Sequence, residues 1–191
     1  MTEELELKLV QEFPTLFRDY HGSPSETCMS WGCSCGDGWF TILWAMCSSL
    51  RGIQERNARK VALTPYSSFL KYYVKEGETL RQSRLSYVKM NAGKGRKAEK
   101  VPPLVLSQVK EKFGTLTVYY DGAWGDEEVR GIVSMAENMS LLTCESCGST
   151  RDVKVSTGWL AVRCSECVAL DTRDRRWTPV LEARKALRAA C

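Results

Sequence analysis

The spacing of apolar positions changes along the chain. Leu5, Leu9, Val10 and Phe13 recur at helical intervals and predict a short amphipathic helix. Pro14, then Gly22, Ser23 and Pro24, break the chain. Residues 28–38 are turn-rich, and Asp37 is placed to cap an apolar helix from Gly38 to about Leu50. Trp39, Phe40, Ile42, Leu43, Trp44 and Met46 make that helix apolar nearly all round, which predicts a central core helix. Trp31, Trp39 and Trp44 are expected in the core.

After residue 103 the period becomes two. Val105, Ser107, Val109 and Glu111 alternate against Leu104, Leu106, Gln108 and Lys110. Phe113-Gly114 marks a turn, and Leu116, Val118 and Tyr120 alternate with Thr115, Thr117 and Tyr119. The pattern predicts a β-hairpin with one wet face. Asp126 then caps a helix to about Ser140, with Val129, Ile132, Val133, Ala136 and Met139 as its core stripe. Thr178-Pro179 is read as the start of a basic helix from Pro179 to Ala190, with proline at the favoured first position.

Four cysteines add a metal to this picture. Cys144, Cys147, Cys164 and Cys167 read as C-x2-C, sixteen residues, C-x2-C, the spacing of a zinc ribbon. Each pair is a tight turn that aims two thiolates at one point, and two pairs close a tetrahedral site. The expectation is one structural Zn2+ and no open coordination position. Cys28, Cys33 and Cys35, with His21 or Cys47, are disfavoured as a second site because their spacing is not that of a knuckle. Cys47 lies on the apolar helix, where cysteine serves as a small core residue.

Charge divides the chain. Residues 51–100 hold 13 basic and four acidic side chains, against a net charge of +4 for all 191 residues. Tyr66, Tyr72, Tyr73 and Tyr87 interleave with Lys71, Lys75, Arg81, Arg84 and Lys89. Lys94, Arg96 and Lys97 follow in a glycine-containing run, read as an exposed loop over 91–101. A second basic-aromatic cluster is Arg173, Arg175, Arg176 and Trp177. These two groups are the candidate partner-binding residues, since basic side chains neutralise acidic surfaces or phosphates and rings stack on bases. No apolar run approaches the length of a membrane span, and the acidic N-terminus lacks a secretion pattern. A reducing cytoplasm therefore suits the cysteines better than a disulfide scaffold.

Cys35-Gly36-Asp37-Gly38-Trp39-Phe40 is followed by Lys110 to Leu116, reading KEKFGTL, and by Tyr119-Tyr120. Ala136-Glu137, Ser140, Cys144-Glu145, Cys147-Gly148, Gly158-Trp159 and the last knuckle follow in order. This series resembles a family of small phage and prophage-encoded zinc-ribbon proteins of unknown function. The resemblance covers residues 30–50 and 103–168; the basic stretch at 51–102 falls outside it as an insertion. It implies a bacterial host cytoplasm and an accessory viral role, such as inhibiting host defence, and assigns no activity to any residue.

Catalysis is disfavoured. His21 is the single histidine, which removes the common hydrolytic metal sites and triads. No phosphate-binding glycine loop or deaminase motif is present. Asp121, Asp126 and Glu128 with a lysine would be the parts of a metal-dependent nuclease, but Asp126, Glu127 and Glu128 suit the first turn of a helix electrostatically. The expected fold is α+β, a small antiparallel sheet packed with helices and ending in a zinc ribbon. Its parts are a core over 1–143 carrying the insertion, a ribbon over 144–170, and a basic helix over 171–191. The expected function is non-enzymatic binding of a host protein complex, with nucleic acid as the alternative partner and no membrane or small-molecule substrate.

Overall fold

The computed structural model describes residues 1–72, 103–123 and 125–183, with 57–72 as backbone only. The chain divides into two units, Met1–Arg51 with Pro103–Cys191, and Gly52–Pro102. The described part of the second is helical over 52–72. The loop expected at 91–101 lies outside the described residues.

The first unit is α+β, with helices and two three-stranded sheets. Helix α1 (Glu3–Glu12) carries three glutamates in its first turn, where they complement the dipole, and buries Leu9. Helix α2 spans Phe40–Tyr72. It does not stop near Leu50: the apolar run ends there, but Arg51, Gln54, Glu55 and Arg56 are good helix formers. Nor is it buried all round. Ile42, Leu43, Met46, Cys47 and Leu50 face inward, while Thr41, Ala45 and Ser49 are exposed. Of the three tryptophans expected in the core, only Trp39 is fully enclosed. Trp44 is 36% exposed on the outer face of α2, edge-on to Phe13, and Trp31 is 72% exposed. Asp37 does not cap α2. It lies inside a 3-10 turn, Asp37–Trp39, and its carboxylate accepts a hydrogen bond from the Thr2 amide at 2.6 Å.

The first sheet has the order β1 (Cys33–Ser34), β2 (Val105–Lys112), β3 (Thr115–Asp121). β2 and β3 form the expected hairpin, whereas β1 joins β2 in parallel. Phe113 and Gly114 both have positive φ, 54° and 77°, which makes the two-residue turn that matches strand twist. Strict alternation in β2 fails. A bulge between Leu106 and Gln108 shifts the register, so Leu106 and Val109 share the buried face with Leu116 and Val118.

Helix α3 (Glu127–Ser140) is capped by Asp126, whose carboxylate accepts from the amides of Glu128 and Val129. It buries Val129, Val133, Ala136 and Ser140, while Met139 is 44% exposed. The buried stripe ends on Ser140 because that residue has a bond to make. Its Oγ accepts from the Leu116 amide at 2.9 Å, and Glu137 accepts from the Val118 amide at 3.0 Å. Two outward-facing amides of the edge strand β3 are thus satisfied by the helix, which blunts an edge that would otherwise template pairing.

The second sheet has the order β5 (Val162–Cys164), β4 (Val153–Ser156), β6 (Trp177–Pro179), all antiparallel. A short helix α4 (Ser165–Ala169) follows β5. Pro179 is therefore the end of a strand and not the first residue of a helix. The chain turns helical at 180–183. The free edge of β4 recruits Trp177–Pro179, an interaction with no local signature in the sequence.

Candidate metal centre

The ligating sulfurs of Cys144, Cys147, Cys164 and Cys167 all lie within 4.8 Å of one another. Cys147 Sγ and Cys164 Sγ are 3.6 Å apart, far beyond disulfide length. Tetrahedral zinc with Zn–S near 2.3 Å requires sulfurs about 3.8 Å apart, so the cluster fits the ion. β5 delivers Cys164, α4 delivers Cys167, and the turn after α3 delivers the first pair.

The electrostatics agree with a cation. Burial opposes charge on Cys144, but the amides of Cys164 and Cys147 and the Cys147 thiol bring its pKa down to about 7. Cys167 moves up, through desolvation and the neighbouring sulfurs. At Cys147 the Ser149 amide favours the thiolate, yet desolvation and the sulfurs of Cys144 and Cys164 outweigh it and raise the thiol. One thiolate is accommodated and further ones repel it. A bound divalent ion would offset that repulsion.

The first knuckle is bound into the rest of the unit. Gly36 donates to the Glu145 carboxylate at 3.1 Å, Gly38 donates to the Glu145 carbonyl at 2.8 Å, and Trp39 Nε1 donates to the Thr143 carbonyl at 3.0 Å. Burial raises the Glu145 carboxyl, an effect that the Gly36 amide opposes. A Cβ on Gly38 would collide with the Cys144 carbonyl oxygen and the Gly148 nitrogen, and one on Gly36 would collide with the Glu145 backbone. Both glycines are there because two backbones touch. Sequence reasoning placed the ribbon on the preceding helix. Thr143 does bond back to Met139, but the main dock is the turn at 36–39. The pattern Cys35-Gly36-Asp37-Gly38-Trp39 was legible; its partner was not.

The second knuckle is held differently. Asp171, with a side chain only 3% exposed, faces Arg173 at 3.0 Å, Arg163 at 3.7 Å and Arg175 at 3.9 Å. The hydrogen bond from Arg173 holds the Asp171 carboxyl below its ordinary range. The second candidate binding cluster is thereby split. Arg175 is 9% exposed by side chain and Trp177 is half-buried in β6, while Arg173 and Arg176 are exposed. Of the first cluster, Lys71 lies on α2 as backbone only, and Lys75, Arg81, Arg84, Lys89, Lys94, Arg96 and Lys97 lie outside the described residues.

The N-terminal cysteines do not form a ligand set among the described residues. Cys28 is exposed, and Cys33, Cys35 and Cys47 are buried, with burial raising the thiols of Cys35 and Cys47 to about 12. Among the described residues, the gathered ligand set is the C-terminal tetrad. Sequence reasoning missed Glu6, Glu137 and Glu145 as polar anchors. Glu6 accepts from the Cys33 amide and from the Tyr20 hydroxyl, at 2.8 and 2.9 Å. No described helix is long and apolar enough to cross a membrane. Comparison with protein-family models, curated proteins and solved structures finds no match.

Proposed function

We propose that this chain is a non-enzymatic recognition module in which zinc, held by Cys144, Cys147, Cys164 and Cys167, locks a ribbon to an α+β core. The sulfur tetrad carries this reading. Four thiolates fill the coordination of tetrahedral zinc and leave no position for water or substrate. The zinc then fixes surface loops and activates nothing.

Two partner classes follow from different grounds. The resemblance to phage zinc-ribbon proteins supports an accessory protein that binds and inhibits or redirects a host protein complex, a defence complex included, in the bacterial cytoplasm. The described surface supports nucleic acid, because the wet face of the β2–β3 hairpin combines lysines with exposed rings.

Elemental analysis of protein purified without chelator should find one zinc per chain; none would overturn the reading. Affinity purification of the tagged chain from phage-infected bacteria, with and without nuclease, separates the partner classes. A protein complex survives the nuclease and a nucleic acid does not.

A further inference from the structure

We infer that the outer face of the β2–β3 hairpin, from Tyr119 to Phe113, is a docking surface for single-stranded nucleic acid. The inference rests on the nucleic-acid reading above and gives it a place on the molecule.

The register defines the face. Gln108 pairs with Tyr119, Lys110 with Thr117, and Lys112 with Thr115, on the side of the sheet opposite Val109 and Val118. Two lysines stand on it beside rings. Lys110 Nζ is 5.3 Å from the centre of Tyr119, and Lys112 Nζ is 5.5 Å from that of Phe113. Tyr119 is 42% exposed and Phe113 73%. The acidic residues nearby are turned to other work. Glu111 pairs with Leu116 on the opposite face and accepts from the Gly114 amide, and Glu137 caps the β3 edge. Asp121 stands at the far end of β3, beyond Tyr119. The stretch between the two rings is thus positive and hydroxyl-rich, complementary to phosphate.

Phe113 supplies a second observation. It occupies φ 54° in a turn position that asparagine or glycine fills without strain, and its ring lies mostly in water. A bulky aromatic there costs backbone strain and gains little packing in return, the signature of a side chain kept for an external contact. Four residues of β2 at about 3.3 Å each put the rings roughly 13 Å apart. Two or three extended nucleotides cover that span, with bases on the rings and phosphates beside the ammonium groups.

The test uses the full zinc-loaded chain and fluorescently labelled oligonucleotides, a twelve-nucleotide oligo-dT and a duplex of equal length, followed by anisotropy over a salt series. The single strand should bind more tightly than the duplex, with affinity falling log-linearly in salt. Phe113→Asn and Tyr119→Thr should each weaken it roughly fivefold to a hundredfold. Lys110→Gln with Lys112→Gln should flatten the salt slope by about 1.4, near 0.7 per phosphate. Phe113→Asn also suits the turn, so a more stable protein that binds less separates binding from folding. Zinc content and melting temperature check the other variants. Binding of the single strand unchanged by all four substitutions would overturn this surface and leave the nucleic-acid reading standing. Absence of any oligonucleotide binding would overturn both. A nuclease-resistant protein partner lost in Phe113→Asn would overturn the choice of nucleic acid.

Discussion

The two C-x2-C knuckles look alike in sequence and differ in how they are held. The first, at Cys144 and Cys147, is pressed onto the turn Gly36–Trp39 by backbone and side-chain hydrogen bonds between residues more than a hundred apart in the chain. Its neighbours cannot give way, because a carbonyl and an amide fill the space beside Gly38. The second, at Cys164 and Cys167, is held inside the ribbon by strand pairing and by Asp171 among three arginines. One motif therefore carries two loads. The first knuckle joins the ribbon to the core, and the second completes the cysteine cluster beside Asp171 and its arginines.

Metal loss should erase the difference, and it is the largest effect. Structural zinc contributes apparent free energies of about 10–16 kcal/mol in small zinc modules, comparable to the whole stability of a domain. Chelation, or Cys164→Ser, should abolish zinc binding and melt the ribbon sheet. Through the dock on Trp39 it should also lower the stability of the first unit. Circular dichroism melts with zinc assays check this. A ribbon that melts while the core keeps its melting temperature would show that the first knuckle does not couple the two.

Glycine substitution then separates the contacts. Gly38→Ala drives a methyl into unyielding backbone and should cost roughly 3 kcal/mol or more. Gly158→Ala, at φ 78° with open space around it, should cost only the strain of the left-handed conformation, about 1 kcal/mol. Denaturant titration of both variants measures the gap. Equal costs would remove the distinction between an interlocked site and a free turn. Trp39→Phe is smaller than Gly38→Ala. It keeps most of the buried ring and deletes the bond to Thr143, leaving a buried carbonyl unpaired, for about 2 kcal/mol.

These contrasts explain what was readable in the sequence. The cysteine cluster was legible because a site of four thiolates imposes local spacing on the residues that form it. The hairpin was legible because period two and a Phe-Gly turn are local as well, and Asp126 named its helix start for the same reason. What failed was non-local. Nothing near Trp177 announces that β4 has a vacant edge for it. The bulge at Ser107 has no signal in the alternating pattern, and it reversed the faces assigned beyond Leu106. Asp37 sits where a cap belongs but bonds Thr2, and Met139 yielded to Ser140 because β3 needed an acceptor. Much of the resemblance-bearing pattern is likewise structural: Glu137, Ser140 and Glu145 satisfy strand and turn amides.

The smallest expected effect lies at the second knuckle. Asp171→Asn removes the negative charge that gathers Arg163, Arg173 and Arg175. Arg173 is exposed and can turn to water, and the neutral amide keeps a carbonyl acceptor for the enclosed Arg175 and the partly buried Arg163, so no guanidinium group is left wholly without a partner. Among the described residues the ion pairs of these arginines run to Asp171 and not to the turn at Gly36–Trp39, although Arg163 also acts by charge on the Glu145 carboxyl. The substitution should therefore raise amide hydrogen exchange over 168–176, leave zinc stoichiometry at one, and shift the melting temperature less than Trp39→Phe does. It should also remove an acid sensitivity. Because the folded carboxyl lies below its ordinary value, it stabilises the fold above that value and loses the contribution as pH falls through the folded pKa. A variant that released zinc, or that exposed Trp39 in fluorescence quenching, would place the arginine cluster in the same load path as the first knuckle and end the comparison.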